Sequence, residues 1–172
     1  MGNEINPETL STPYVYQLSV KNTHKTDKKD RSPRKISTTS IQVYKEGCKG
    51  DYNDYRTKHK QSTNDRALSL ITTEILEQLN TEGWPIKPGD LGENITIAGD
   101  LSLELGQKYS IGTVTLEITE EIVPCNKLSF LPYVGKPNKS EFLETLKGRR
   151  GWYARVLTEG TITVRDKVNP LI

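Results

Sequence analysis

The stretch Thr113-Val114-Thr115-Leu116-Glu117-Ile118 alternates polar and apolar side chains, the period-two pattern of a strand with one buried face and one wet face. Short apolar runs of this kind recur along the chain, and Gly106 and Gly112 stand where turns would separate them. Such punctuation predicts a mainly β domain, a barrel or a sandwich, with a few short peripheral helices. Strands are expected over 14–20, 36–44, 67–71, 94–97, 101–105, 108–111, 114–119, 152–157 and 161–164, the last two pairing across Glu159-Gly160. Thr72 or Thr73 can cap a short helix over 74–79 with Ile75, Leu76 and Leu79 on one face. A second helix over 140–147 aligns Phe142, Leu143 and Leu146 and stops at Gly148. Between them, 84–92 holds two prolines and two glycines and reads as an irregular connection.

At 172 residues one core is expected, burying on the order of 70% of the extended-chain surface. Residues 1–13 read as a flexible N-terminal segment and 14–172 as a single domain. The 24 basic and 22 acidic residues leave a net charge of +2, which gives no reason to expect a nucleic-acid partner. No apolar run approaches the roughly 20 residues needed to cross a bilayer, and the first ten residues lack a secretory pattern. A cytoplasmic protein without membrane contact is therefore expected. Its two cysteines, Cys48 and Cys125, read as thiols.

Phosphate loops, nucleophile elbows, paired helical histidines and CxxC pairs are absent from the sequence. His24 and His59 both fall in polar loops and read as surface side chains. The run from His24 to Lys35 carries six basic side chains against two acidic. It is either a solvated loop or a phosphate-attracting lip. Cys125 follows Pro124 where an apolar strand gives way to a loop, and Lys127 stands two residues on. A thiolate there suits a thiophilic metal or a sulfur-carrying nucleophile, while a strand-end cysteine also serves as an inert core residue. Cys48, in a turn, reads as incidental. Leu91-Gly92-Glu93-Asn94-Ile95-Thr96 offers backbone amides and an amide side chain at the start of a strand, for a polar ligand or only for a tight turn.

Four stretches taken in order resemble the MOSC domain, named after the C-terminal domain of molybdenum cofactor sulfurase. They are 91–96; Ser110-Ile111-Gly112 leading to Leu116-Glu117-Ile118-Thr119; Pro124-Cys125-Asn126-Lys127-Leu128; and Arg150-Gly151-Trp152-Tyr153-Ala154-Arg155-Val156-Leu157. The similarity spans about 34–168 and is closest to small stand-alone bacterial-type members. It implies a MOSC-type β-barrel in which Cys125 faces a basic pocket for molybdopterin and, in metal-containing members, ligates molybdenum. Those members reduce N-hydroxylated compounds, small-molecule substrates, with electrons from a partner protein; another view of the family has the domain carry sulfur from a donor protein or simply bind the cofactor. By position, Gly92, Glu93 and Asn94 would line the pocket, and Asn126 would sit beside the cysteine. Arg34 or Lys35, Arg66 and Lys127 are candidates for the cofactor's phosphate, and Arg155 is carried over from the last stretch, with a structural role as its alternative. The sequence departs from the family at His59-Lys60-Gln61-Ser62-Thr63-Asn64-Asp65-Arg66-Ala67, where many members have His-Gly-Gly. It departs again at Glu120-Glu121, where an arginine often precedes Pro-Cys, and at Arg165-Asp166, where Gly-Asp is common. Three functions stay open: a molybdenum reductase, a non-redox sulfur carrier or cofactor binder, and a divergent barrel without cofactor.

Overall fold

The computed structural model describes residues 12–21, 31–51 and 64–172. The strands in chain order are β1 (Tyr14–Val20), β2 (Ile36–Thr38), β3 (Ser40–Tyr44), β4 (Gly47–Cys48), β5 (Leu68–Thr72), β6 (Ile95–Ala98), β7 (Lys108–Ile111), β8 (Val114–Glu121), β9 (Trp152–Thr158), β10 (Gly160–Thr163) and β11 (Val168–Leu171). Two α-helices, α1 (Thr73–Thr81) and α2 (Gly135–Thr145), and 3-10 turns at Asn64–Arg66 and Asn126–Phe130 complete the described residues. None of the described helices is long and apolar enough to cross a membrane. The basic loop up to Asp30, with His24, lies outside the described residues, as do His59 and residues 1–11.

The fold is mainly β. Eight strands form a mixed sheet in the order β11-β7-β8-β9-β5-β6-β1-β2, and β10-β3-β4 form a smaller one. Named strand pairs close no ring, since β11 and β2 stand at the two ends. The start of β1 is nevertheless tied to the segment entering β11 by a Tyr14–Lys167 bridge and by bonds from Val15 N to Asp166 O (2.8 Å) and from Arg165 N to Val15 O (2.9 Å).

The alternation seen in the sequence sets the packing. On β8, Val114, Leu116 and Ile118 are fully buried and join Leu68, Leu70, Ala154, Ile95 and Ile97 in one hydrophobic cluster. Ile71 instead enters a second cluster with Leu76 and Leu79 of α1, Leu91, Leu128, Phe142 and Leu146. There the fully buried Phe142 ring meets Trp84 at 4.8 Å and Tyr133 at 6.4 Å between centroids. Strand β5, buried at all five positions, thus separates two cores.

Several expectations need correction. The run 36–44 is two strands, because β2 pairs with β1 and β3 with β10, so the chain changes sheets at Thr39. Residues 101–104 form no strand: Leu103 alone turns fully inward while Leu105 is exposed, and Gly106 spends its N–H on Ile118 O (2.8 Å). Strands β9 and β10 do not pair, since both edges of β9 are taken by β5 and β8. Helix α2 begins at Gly135, five residues before its expected start at Ser140, because Pro137 in the first turn gives up no helical hydrogen bond. Strand β11 was not anticipated; Pro170 marks it as an edge strand. Helix α1 also follows Thr72 without a side-chain cap, the threonine being buried at the end of β5.

Gly151 shows how closely the central strands approach. Its φ is +102°, and a Cβ there would collide with the carbonyl oxygen of Leu70. Gly151→Ala is expected to cost about 2 kcal/mol or more through the disfavoured backbone and this clash. Urea denaturation of wild type and variant measures it, and an unchanged midpoint would contradict the account.

Candidate functional site

The site grows from the turn before β6. Gly92 has φ +87°, and a Cβ there would stand 2.9 Å from Pro33 O, so only glycine lets the segment 31–35 lie against this turn. Lys35 N donates to Gly89 O at 2.9 Å and holds the two segments together. Arg34 and Lys35 are thereby brought to the Gly92-Glu93-Asn94 turn.

Asn94 is fully engaged within the protein. Its Oδ1 accepts from Ser69 N (3.2 Å) and Ser69 Oγ (3.3 Å), and its Nδ2 donates to Ser19 O (3.2 Å) and Asp51 Oδ2 (2.9 Å). That accounts for the bonding capacity of the side chain and makes Asn94 a clamp between β1, β5 and β6. Asp51 Oδ2 also takes the Nζ of Lys35 at 2.8 Å, with both side chains under 10% exposed. Lys35 therefore neutralises a buried aspartate. Arg34 donates from Nε to Ser32 Oγ at 3.3 Å and acts electrostatically on Tyr133, whose hydroxyl donates to Asp90 Oδ2 (3.0 Å). Burial first, then Asp90, raises the Tyr133 phenol well above its usual range.

A polar row crosses the sheet beside this turn. Ser69 on β5 is opposite Tyr153 on β9, and Tyr153 is opposite Glu120 on β8. A register shift between Ile118 and Glu120 sets that last pairing, a bulge of the sort that redirects side chains near functional sites. Thr119 Oγ fixes the bulge by donating to Asp65 O (2.5 Å). Arg66 lies over the Tyr153 ring, 5.1 Å from its centroid, and binds Glu120 through both carboxylate oxygens at 2.9 and 2.6 Å. Arg155 is exposed and pairs with Asp65 at 3.1 Å. Both arginines thus have acidic partners, and the Glu120 that departs from the family pattern is the partner of Arg66.

Cys125 closes the arrangement. Ile122 N bonds Gly151 O (2.9 Å), which carries the chain from β8 past the start of β9. Cys125 then initiates the 3-10 turn Asn126–Phe130 with its thiol exposed, and Asn126 and Lys127 are exposed beside it. Arg31 reaches the far end of that turn, 6.0 Å from the Phe130 centroid, so the basic segment borders the cysteine's own turn. Cys48 is half-buried in the hairpin of β3 and β4, packed against the first core.

Sequence reasoning passed over Arg150. This guanidinium is buried, donates from Nη2 to Leu91 O, and has no partner at Nε or Nη1 among the described residues. Burial lowers its pKa, while Glu93, Cys125 and Tyr153 act on it in the opposite sense. Glu93 is equally buried: Oε1 accepts from Gly89 N (2.5 Å) and Thr96 Oγ (3.3 Å), and Oε2 has no partner among the described residues. Leaving such groups unmatched costs about 1–3 kcal/mol each, more when charged. A polar ligand could match these atoms, and only the adjacency of Arg150 to a glycine hinted at them in the sequence. Among the described residues no three His, Cys, Asp or Glu side chains gather to hold a metal. A metal at Cys125 would have to bring its remaining ligands with it, as a molybdenum bound to a pterin dithiolene does. An exposed thiol beside an unmatched buried guanidinium fits such an anionic group.

Burial dominates Glu93 and raises its carboxyl above the ordinary 4.5, against the lowering effects of Gly89, Arg150 and Thr96. The folded state therefore holds a proton that the unfolded state releases, so stability falls as pH rises from about 4.5 toward the raised folded value. Glu93→Gln, which retains an acceptor for Gly89, is expected to flatten that fall. Urea midpoints measured between acid and neutral pH would contradict the assignment if wild type and variant ran parallel.

The family model for the MOSC domain matches residues 57–169. No curated protein matches the chain. Among solved structures, the YuaD protein from Bacillus subtilis is 20% identical, with 92% of this chain and 95% of that chain covered and a TM-score of 0.74. YiiM from Geobacillus stearothermophilus is 22% identical over 93% of this chain and 75% of that one, with a TM-score of 0.66. YiiM from Escherichia coli is 17% identical over 94% and 69%, with a TM-score of 0.63. These structures share the fold, and the family match spans well over half of the sequence. The chain belongs to the MOSC domain family, which is associated with molybdenum cofactor binding.

Proposed function

We propose that this chain binds the molybdenum cofactor with Cys125 as a protein ligand to the metal and reduces N-hydroxylated small molecules. The observation that carries the reading is the exposed Cys125 thiol within electrostatic reach of the buried, partly unmatched Arg150. In the net reaction the N–O bond breaks, oxygen leaves as water, and a partner protein supplies two electrons while solvent supplies two protons. When bound, the cofactor supplies the metal that changes oxidation state. The chain's own contribution is binding and orientation. Cys125 offers a soft sulfur at a fixed strand end. Lys127 and Asn126 rise beside it as exposed polar contacts, and Arg34 and Arg31 bring charge to the other side of the turn. The Gly92 turn allows that approach, with Glu93 and Asn94 as its buried supports. Arg66 and Arg155 would reach a phosphate only by exchanging Glu120 and Asp65 for it. On this reading the sheet is a MOSC-type barrel whose seam is the Tyr14–Lys167 bridge, and the cytoplasm, where cofactor and electron donors are found, is its location.

A second reading is supported by the ion pairs. Lys35, Arg66 and Arg155 each already hold a carboxylate, which weakens the basic pocket and favours a non-redox role in which Cys125 carries sulfur as a persulfide received from a donor protein.

Molybdenum and pterin content of wild type and Cys125→Ser, both made in a cofactor-competent host, separate the two. Stoichiometric metal in wild type, lost on substitution, is expected. Cyanide-releasable sulfur on Cys125 without metal would establish the carrier instead. Absence of both from wild type would refute both readings.

A further inference from the structure

Arg150 differs from the other cations around Cys125. Arg66, Arg155 and Lys35 have carboxylate partners at 2.6, 3.1 and 2.8 Å. Arg150 is 8% exposed and commits only Nη2, to Leu91 O, while Nε and Nη1 are without partners among the described residues. Cys125 and Tyr153 both act on it electrostatically, and it acts in turn on the Tyr153 hydroxyl. The residue that follows it is held in place: Gly151 packs so near Leu70 O that a Cβ would collide with it, and Gly151 O receives Ile122 N, three residues before Cys125. The guanidinium is therefore anchored at one nitrogen, fixed in place, and still able to donate.

We propose that Arg150 is an oxyanion-binding residue of the Cys125 site, presenting Nε and Nη1 to an anionic oxygen of the molecule that occupies the thiol. Glu93 is its buried counter-group, acting on it electrostatically while Oε1 is anchored to Gly89 and Thr96. Tyr153, whose ring lies under Arg66 and whose hydroxyl both arginines influence, is a candidate neutral donor to the same anion. The ligand chemistry is a phosphate or carboxylate group, held by charge-assisted hydrogen bonds that water screens little because the guanidinium is buried. Its source is either the cofactor or an anionic substrate. This inference rests on the reading of Cys125 as the ligand-contacting thiol, but it does not require a metal.

The test uses the full chain made in a host that cannot synthesise molybdopterin, with alkylation of Cys125 by iodoacetamide followed by peptide mass spectrometry and Cys48 as the internal reference. Inorganic phosphate and, separately, benzoate are titrated at constant ionic strength. A saturable slowing of Cys125 alkylation is expected in wild type. In Arg150→Met the half-saturating anion concentration should rise about tenfold or more, the usual effect of losing a hydrogen bond to a charged group, while Arg150→Lys should keep part of the effect. Protection by phosphate alone assigns a phosphate group to the site, and protection by benzoate as well assigns a planar carboxylate; both support the proposal. No saturable slowing by either anion in wild type, or equal protection in wild type and Arg150→Met, overturns it. Should Arg150→Met fail to fold, the double variant Glu93→Gln/Arg150→Met removes both buried charges together and takes its place. Because no molybdenum is present, failure here leaves metal ligation by Cys125 standing, and failure to load metal leaves this result standing.

Discussion

Everything at the site depends on strand β5 being closed in on every side. It is buried on both faces and hydrogen-bonded along both edges, parallel to β6 and antiparallel to β9. Leu68 and Leu70 point into one core and Ile71 into the other, which leaves Ser69 as the polar position on the second face. A buried serine must find partners, and it finds them in Asn94 and Gly92 O. That bond fixes the start of β6, and with it the Gly89–Asn94 turn that supports the basic segment. On the other edge, the approach of Gly151 to Leu70 fixes the start of β9 and so the place of Arg150. The two sides of the site are thus located by one strand, and neither could shift without breaking its pairing.

The strands whose patterns repeat with period two were legible. Tyr14–Val20 and Lys108–Ile111 have the expected bounds, and β8 differs only by running on to Glu121. What could not be read was pairing. Alternation tells which residues face inward but not which strand lies alongside, so the exchange of sheets at Thr39 and the separation of β9 from β10 became visible only in three dimensions. The segment 101–105 misled for a related reason: it has the apolar content of a strand, but Leu103 packs into the first core while no strand pairs with the segment.

At the site, residue types were easier to anticipate than their partners. Cys125 stands exposed beyond the end of β8, at the head of the 3-10 turn, and Gly92 takes a positive φ in the turn before β6. The basic residues were harder. Sequence shows that Lys35, Arg66 and Arg155 are cationic, but not that Asp51, Glu120 and Asp65 fold beside them. Asn94 likewise offers an amide in the sequence, and the fold spends all of it internally. Arg150 escaped notice because its importance lies in what it lacks, which is a property of packing and not of the motif.

Charge compensation explains why that difference matters. A half-exposed pair such as Arg66–Glu120 contributes little to stability, about 0–1 kcal/mol, because solvent screens it and two side chains must be ordered. An incoming anion can compete for Arg66 at small cost to the fold. Arg150 and Glu93 are in the opposite regime, where desolvation works against the charged form of each and mutual attraction works for it. Two partly bonded buried charges are a poor choice for stability alone, since apolar side chains of similar volume would hold the same strands together without the desolvation cost. Their retention is accounted for when a polar ligand completes the bonding. On the proposed reading, the peripheral arginines tune attraction at the rim, where exchange is easy, while Arg150 supplies a fixed buried donor, where water competes least.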